Sequence, residues 1–66
     1  MRATINGESH ELPEDVTVGT LLESLGTART GIAVARNDCV VRRADYDAVA
    51  VSEGDRIEII KAVAGG

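Results

Sequence analysis

Val18, Leu21, Leu22 and Leu25 fall at the i, i+3, i+4 and i+7 positions of a helix and form one continuous apolar stripe. Thr20, Glu23 and Ser24 take the wet side. Thr17 stands where an N-cap belongs, its hydroxyl available to an orphan amide of the first turn. Gly19 costs little so near the helix start, and Gly26 is placed as the left-handed residue that ends the helix. A helix with one apolar face needs a surface to cover. In a chain of 66 residues with no Phe, no Trp and one Tyr, that surface has to be built from Ile, Leu, Val and Ala. At this length only about 60% of the unfolded chain's surface is buried on folding. One small domain over residues 1–66 is expected, without a wide enzymatic cleft.

The segments around the helix alternate like strands. Ala3-Thr4-Ile5 leads into Asn6-Gly7, a two-residue hairpin signal, because both central positions of a type I′ turn need positive φ. The return strand runs from Glu8 to Leu12, which sets Ala3 opposite His10 and Met1 opposite Leu12 on one face. Pro13-Glu14-Asp15 breaks the pattern. After the helix, Ile32 to Arg36 is a third strand with Ile32 and Val34 facing the helix. Asn37-Asp38 turns the chain, and Cys39 to Arg42 forms a short fourth strand. Arg43 to Val51 carries no clear period, and Tyr46 is expected to anchor a turn against the core. Ser52-Glu53-Gly54-Asp55 delivers a last strand, Arg56 to Ile60, with Ile57 and Ile59 inward. A hairpin, one helix and further strands ending on an apolar one give an α+β arrangement, a mixed sheet of about five strands packed on one helix. This is the β-grasp, or ubiquitin-like, fold.

The last strand runs without a linker into Ala62-Val63-Ala64-Gly65-Gly66. Two glycines have the most backbone entropy to lose and no side chain to pack, so residues 62–66 are expected to form a loose tail. Extended, these five residues reach at most about 17 Å, and without Cβ atoms the end can enter a slot too narrow for other residues. The Gly66 carboxylate, with an expected pKa of about 3.3–3.7, is ionised at neutral pH and a poor acyl electrophile. Joined to AMP as a mixed anhydride, it becomes open to a sulfur or nitrogen nucleophile. The nucleotide site for that step belongs to a partner, since the chain has no phosphate-binding glycine loop.

Other chemistry is sparse. One His and one Cys leave no metal-ligand cluster and no nucleophile-base pair. His10 reads as a half-buried side chain closing the sheet edge. Cys39 stands beside Asp38, which disfavours a thiolate, and reads as structural. Arg42-Arg43 reads as solvated surface, and Glu8, Glu11, Glu14 and Asp15 as a solubilising face. The net charge of −4 argues against nucleic acid, whose phosphates would repel it. No apolar run approaches the roughly 20 residues of a membrane helix, and Met1-Arg2 leads into strand alternation rather than a signal peptide. A lone cysteine fits the reducing cytoplasm. If Ile57 and Ile59 point inward, Ile60 points out beside Ala33 and Ala35, giving a flat apolar patch at the root of the tail that is expected to dock a partner.

The order of these motifs resembles the thiamin-biosynthesis sulfur carrier family. The likeness covers the whole chain: Asn6-Gly7, Thr17-Val18 with Leu21-Leu22 and Leu25, and Ala35-Arg36-Asn37. It continues through Val40-Val41 with Arg43 and Tyr46, Glu53-Gly54-Asp55-Arg56-Ile57, and Val63-Ala64-Gly65-Gly66. The resemblance implies a co-substrate rather than an enzyme, with no cofactor bound by this chain. An adenylyltransferase related to the ubiquitin-activating enzymes would use ATP and magnesium to adenylate Gly66. A cysteine-derived persulfide would then convert it to a thiocarboxylate, and thiazole synthase would take the sulfur. Gly65, Ala64 and Val63 would thread the tail into each active site. Tyr46 stands where many members have Trp, and Ala3 where larger apolar residues are usual, so that end of the core is expected to be lightly packed.

Three alternatives share parts of this pattern. The small subunit of molybdopterin synthase has the same fold and terminus but often carries prolines before its last residues, where this chain has Lys61-Ala62. A carrier for another sulfur pathway is a further reading. A ubiquitin-like protein modifier would pass the activated glycine to a lysine amine.

Overall fold

The computed structural model describes residues 1–61. The expected loose tail at 62–66, with the threading residues Val63, Ala64 and Gly65 and the acyl end Gly66, lies outside the described residues. The elements follow in the order β1 (Arg2–Ile5), β2 (Glu8–Glu11), α1 (Val18–Ser24), β3 (Ile32–Arg36), β4 (Cys39–Val41), a 3₁₀ turn (Arg43–Asp45) and β5 (Arg56–Lys61). The sheet order is β2-β1-β5-β3-β4. β5 therefore lies in the middle, parallel to β1 and antiparallel to β3.

Both hairpins turn where two adjacent residues accept positive φ. Asn6 and Gly7 sit at 49° and 85°, and Asn37 and Asp38 at 51° and 70°. Ala3 pairs with His10 as the two-residue turn requires, and the Leu12 N–H donates to the Met1 carbonyl at 2.7 Å. The small Ala3 is itself buried beneath the sheet.

Thr17 caps α1. Its hydroxyl accepts the Thr20 N–H at 3.2 Å, while the Thr20 hydroxyl accepts the Thr17 N–H at 2.8 Å. This is a reciprocal capping box with threonine in the place usually held by Glu or Gln. Val18, Leu21 and Leu22 are fully buried with Val34, Tyr46, Val51 and Ile57. Each such side chain contributes about 1.5–3 kcal/mol by leaving water. Leu25 departs from the expected stripe and is 40% exposed. The helix ends at Ser24, Gly26 turns the chain away at φ +70°, and Leu25 borders surface grooves with Thr27 and Lys61.

The stretch without a clear period, Arg43 to Val51, is ordered by backbone bonds to the start of α1. Gly19 N–H donates to Tyr46 at 2.8 Å, Val18 N–H to Val49 at 3.0 Å, and Val51 N–H to Val16 at 3.0 Å. Tyr46 is 2% exposed and anchors this turn in the core. Over Gly19 lies the Arg29–Asp47 ion pair, 2.7 Å between Nη2 and Oδ1. A Cβ at position 19 would fall 2.2 Å from that carboxylate oxygen, so the glycine leaves room for the pair.

Candidate functional site

β5 carries the chain toward Gly66, and both its edges are gripped. On one side it pairs with β3 from Arg36↔Ile57 to Ile32↔Lys61. On the other it pairs with β1 through Thr4↔Arg56 and Ile5↔Ile57. Each hairpin turn adds an asparagine side chain. Asn37 Oδ1 accepts the Arg56 N–H at 2.8 Å at the start of the strand. Asn6 Oδ1 accepts the Ile59 N–H at 2.8 Å, and Asn6 Nδ2 donates to the Ile59 carbonyl at 3.2 Å, near its end.

A buried carboxylate locks the entry to β5. Asp55, read from the sequence only as a turn residue, is 6% exposed. Its Oδ2 accepts from Arg36 Nε and from the Ser52 N–H, each at 2.7 Å, and its Oδ1 accepts from Asn37 Nδ2 at 3.0 Å. Burial pushes this carboxyl up, but the Ser52 amide, the Arg36 guanidinium and the Asn37 amide together outweigh it and hold the group below the usual carboxylate range.

The outer face of the sheet carries the expected apolar group with one addition. Ile60 is 62% exposed and lies directly opposite the exposed Ala33. Ala35 is half-buried, flanked by Glu58 on β5 and by Val40 on β4. Val40, 77% exposed, was not among the residues expected there. Alternation along β4, with Val41 inward against Val34, is the signal that places it outward. The surface is thus an oblique apolar band with one carboxylate, Glu58, set into it.

The remaining polar candidates stay apart. His10 is half-buried with its Nε2 3.9 Å from Glu8, while Glu11 and Glu14 flank the terminal ammonium of Met1 at 3.0 and 3.1 Å. The early carboxylates therefore divide between two solvent-facing groupings. Cys39 is exposed at the start of β4. Among the described residues no group of three or more His, Cys, Asp or Glu could hold a metal ion, and no helix is long and apolar enough to cross a membrane.

Five strands in mixed order over one helix, with the last strand central and leading to a diglycine, define a ubiquitin-like protein of the β-grasp type. The chain belongs to the ThiS family, whose model matches residues 2–66. It is 41% identical to a thiazole synthase of Magnetococcus marinus and 39% identical to one of Paramagnetospirillum magneticum, in each case over the whole of this chain and 20% of the relative. It thus spans about a fifth of the length of these curated relatives. It is 32% identical to the sulfur carrier protein ThiS of Escherichia coli, over all of both chains. The crystal structure of the thiamine biosynthesis protein ThiS from Geobacter metallireducens superimposes with a TM-score of 0.87 at 32% identity, covering all of both chains. A solution structure of a thiamine biosynthesis protein from the same organism gives 0.81, covering this whole chain and 88% of the other.

Proposed function

We propose that this chain is a sulfur carrier for building the thiazole ring of thiamin, with its own terminal carboxylate as the reacting group. An adenylyltransferase of the ubiquitin-activating type uses ATP and magnesium to join AMP to Gly66. The terminal sulfur of a cysteine-derived persulfide displaces AMP to give an acyl disulfide at Gly66, and a thiol then cleaves its S–S bond, forming a disulfide and releasing the thiocarboxylate. Thiazole synthase then takes that sulfur. Val63, Ala64 and Gly65 pass through the narrow approach to each active site. The band of Ile60, Ala33, Ala35 and Val40 seats the partner, and the protein acts as a co-substrate in the cytoplasm.

The observation that carries this reading is the course of β5. A strand held on both edges ends at Lys61, five residues before the Gly66 carboxylate, within reach of a partner's site about 17 Å away. The two synthase relatives, each with a segment similar to this chain, support thiazole synthase as the acceptor.

Intact-mass measurement tests it. After incubation with the activating enzyme, ATP, magnesium and a sulfur donor, the protein gains the difference between a sulfur and an oxygen atom. Heavier covalent adducts would instead mark a protein modifier, and an unchanged mass would overturn the carrier reading. Failure to rescue a thiazole-requiring strain, with the mass gain intact, would point to molybdopterin synthase or another sulfur pathway.

A further inference from the structure

Asn6 does more than turn the first hairpin. The parallel ladder between β1 and β5 runs through the Thr4 N–H to the Asp55 carbonyl and the Asn6 N–H to the Ile57 carbonyl, both 2.9 Å. The next rung would need a donor and an acceptor from a strand continuing past Asn6. The chain instead reverses there, with φ of 49° at Asn6 and 85° at Gly7. The Asn6 carboxamide supplies that rung, its oxygen taking the Ile59 N–H and its nitrogen donating to the Ile59 carbonyl. A side-chain amide thus replaces a missing peptide, 53 residues away in sequence.

The turn alone would accept Asn, Asp or Gly. Only Asn offers both the donor and the acceptor that Ile59 uses, because Asp lacks the N–H and Gly lacks both. We infer that Asn6 is a positioning residue that extends the grip on the β1-side edge of β5 to Ile59, and so fixes the direction in which the end of the strand points the chain toward Gly66. Without it, β5 has support on both edges only to Ile57. From Glu58 to Lys61 the strand would then rest on β3 alone, and a strand end held on one edge carries freedom of orientation that is lost when the acyl end is aligned. This inference rests on the carrier reading for its kinetic consequence, while the clamp itself is a property of the free protein.

Two measurements on the full-length chain decide it. In Asn6→Gly, which keeps a residue suited to positive φ, the Ile59 amide should exchange with solvent about tenfold faster, the scale of one hydrogen bond, while the Val34 amide keeps its protection. In adenylation by the activating enzyme, followed as pyrophosphate release, kcat should fall about tenfold with KM for the carrier little changed, the signature of lost alignment rather than lost docking. Asn6→Asp keeps the acceptor for the Ile59 N–H but sets a carboxylate against the Ile59 carbonyl. It should lie between Gly and Asn in both measurements, and it stands in should Asn6→Gly melt below the assay temperature. Unchanged Ile59 protection, or a raised KM at constant kcat, overturns the inference. If the wild-type protein is never adenylated, the carrier reading fails by itself, and the Ile59 exchange still decides whether Asn6 clamps the end of β5.

Discussion

Asp55 Oδ2 lies 2.7 Å from Arg36 Nε, tying the turn before β5 to the end of β3. Because the folded-state pKa of Asp55 is held below its ordinary value, the carboxylate contributes stability above the unfolded pKa of about 3.9. That contribution is lost as the pH falls from there through the folded pKa. The thermal midpoint should hold from neutral pH to about pH 5 and drop below it. Asp55→Asn removes the charge and turns an N–H donor toward groups that already donate, at a cost of about 2 kcal/mol. Urea titrations of both proteins from neutral to acid pH should show a shallower acid slope in the variant, and equal slopes would refute this account.

Ile60 and Val40 spend most of their surface in water, so replacing either by Asp leaves the core untouched. Ile60→Asp should weaken binding to the activating enzyme about tenfold or more, as expected when a docked apolar side chain becomes a charge. Val40→Asp should act in the same direction, and the melting temperature of both variants should stay within a few degrees. Calorimetric titration against the partner checks this, and undiminished affinity in both variants removes the outer face from the docking scheme.

Gly19→Ala sets two opposing effects against each other. The added methyl favours the helix by about 1 kcal/mol over glycine but displaces the Arg29–Asp47 pair that crosses it. That pair is a solvent-facing contact, and such pairs contribute little in water. The melting temperature should therefore change by only a few degrees. The Arg29 guanidinium now holds the Asp47 carboxyl below its usual range, so Asp47 should titrate nearer its ordinary value in the variant. Carbon NMR of the Asp47 side chain reads this directly, and an unmoved titration would show that the ion pair survives the substitution.

Much of this fold is legible from local patterns. The spacing of Val18, Leu21 and Leu22 marks the buried helix face, and the Asn-Gly and Asn-Asp pairs mark turns that need positive φ. Periodicity does not say where the sheet stops beneath the helix, so it carries Leu25 inward although the structure leaves it at the rim. Arg43 to Val51 resists reading because its order comes from backbone donors and acceptors, which every residue has. Asp55 looks like any turn carboxylate, since its partners on Arg36 and Asn37 are distant in sequence. The same distance hides the second role of Asn6. At the candidate site, the outward direction of Ile60 and Ala33 follows from the two-residue period of a strand. Val40 follows from the same rule, but a strand as short as β4 gives that period little length in which to show.

The central place of β5 also governs how such a protein is made. During synthesis the β1–β2 pair and the β3–β4 pair emerge first, and neither hydrogen-bonds to the other. Only when residues 56–61 are free of the ribosome can they slide between the two halves and unite them. A nascent chain lacking that strand is two separate hairpins and a helix with nowhere to rest, so the fold closes only once β5 is in place.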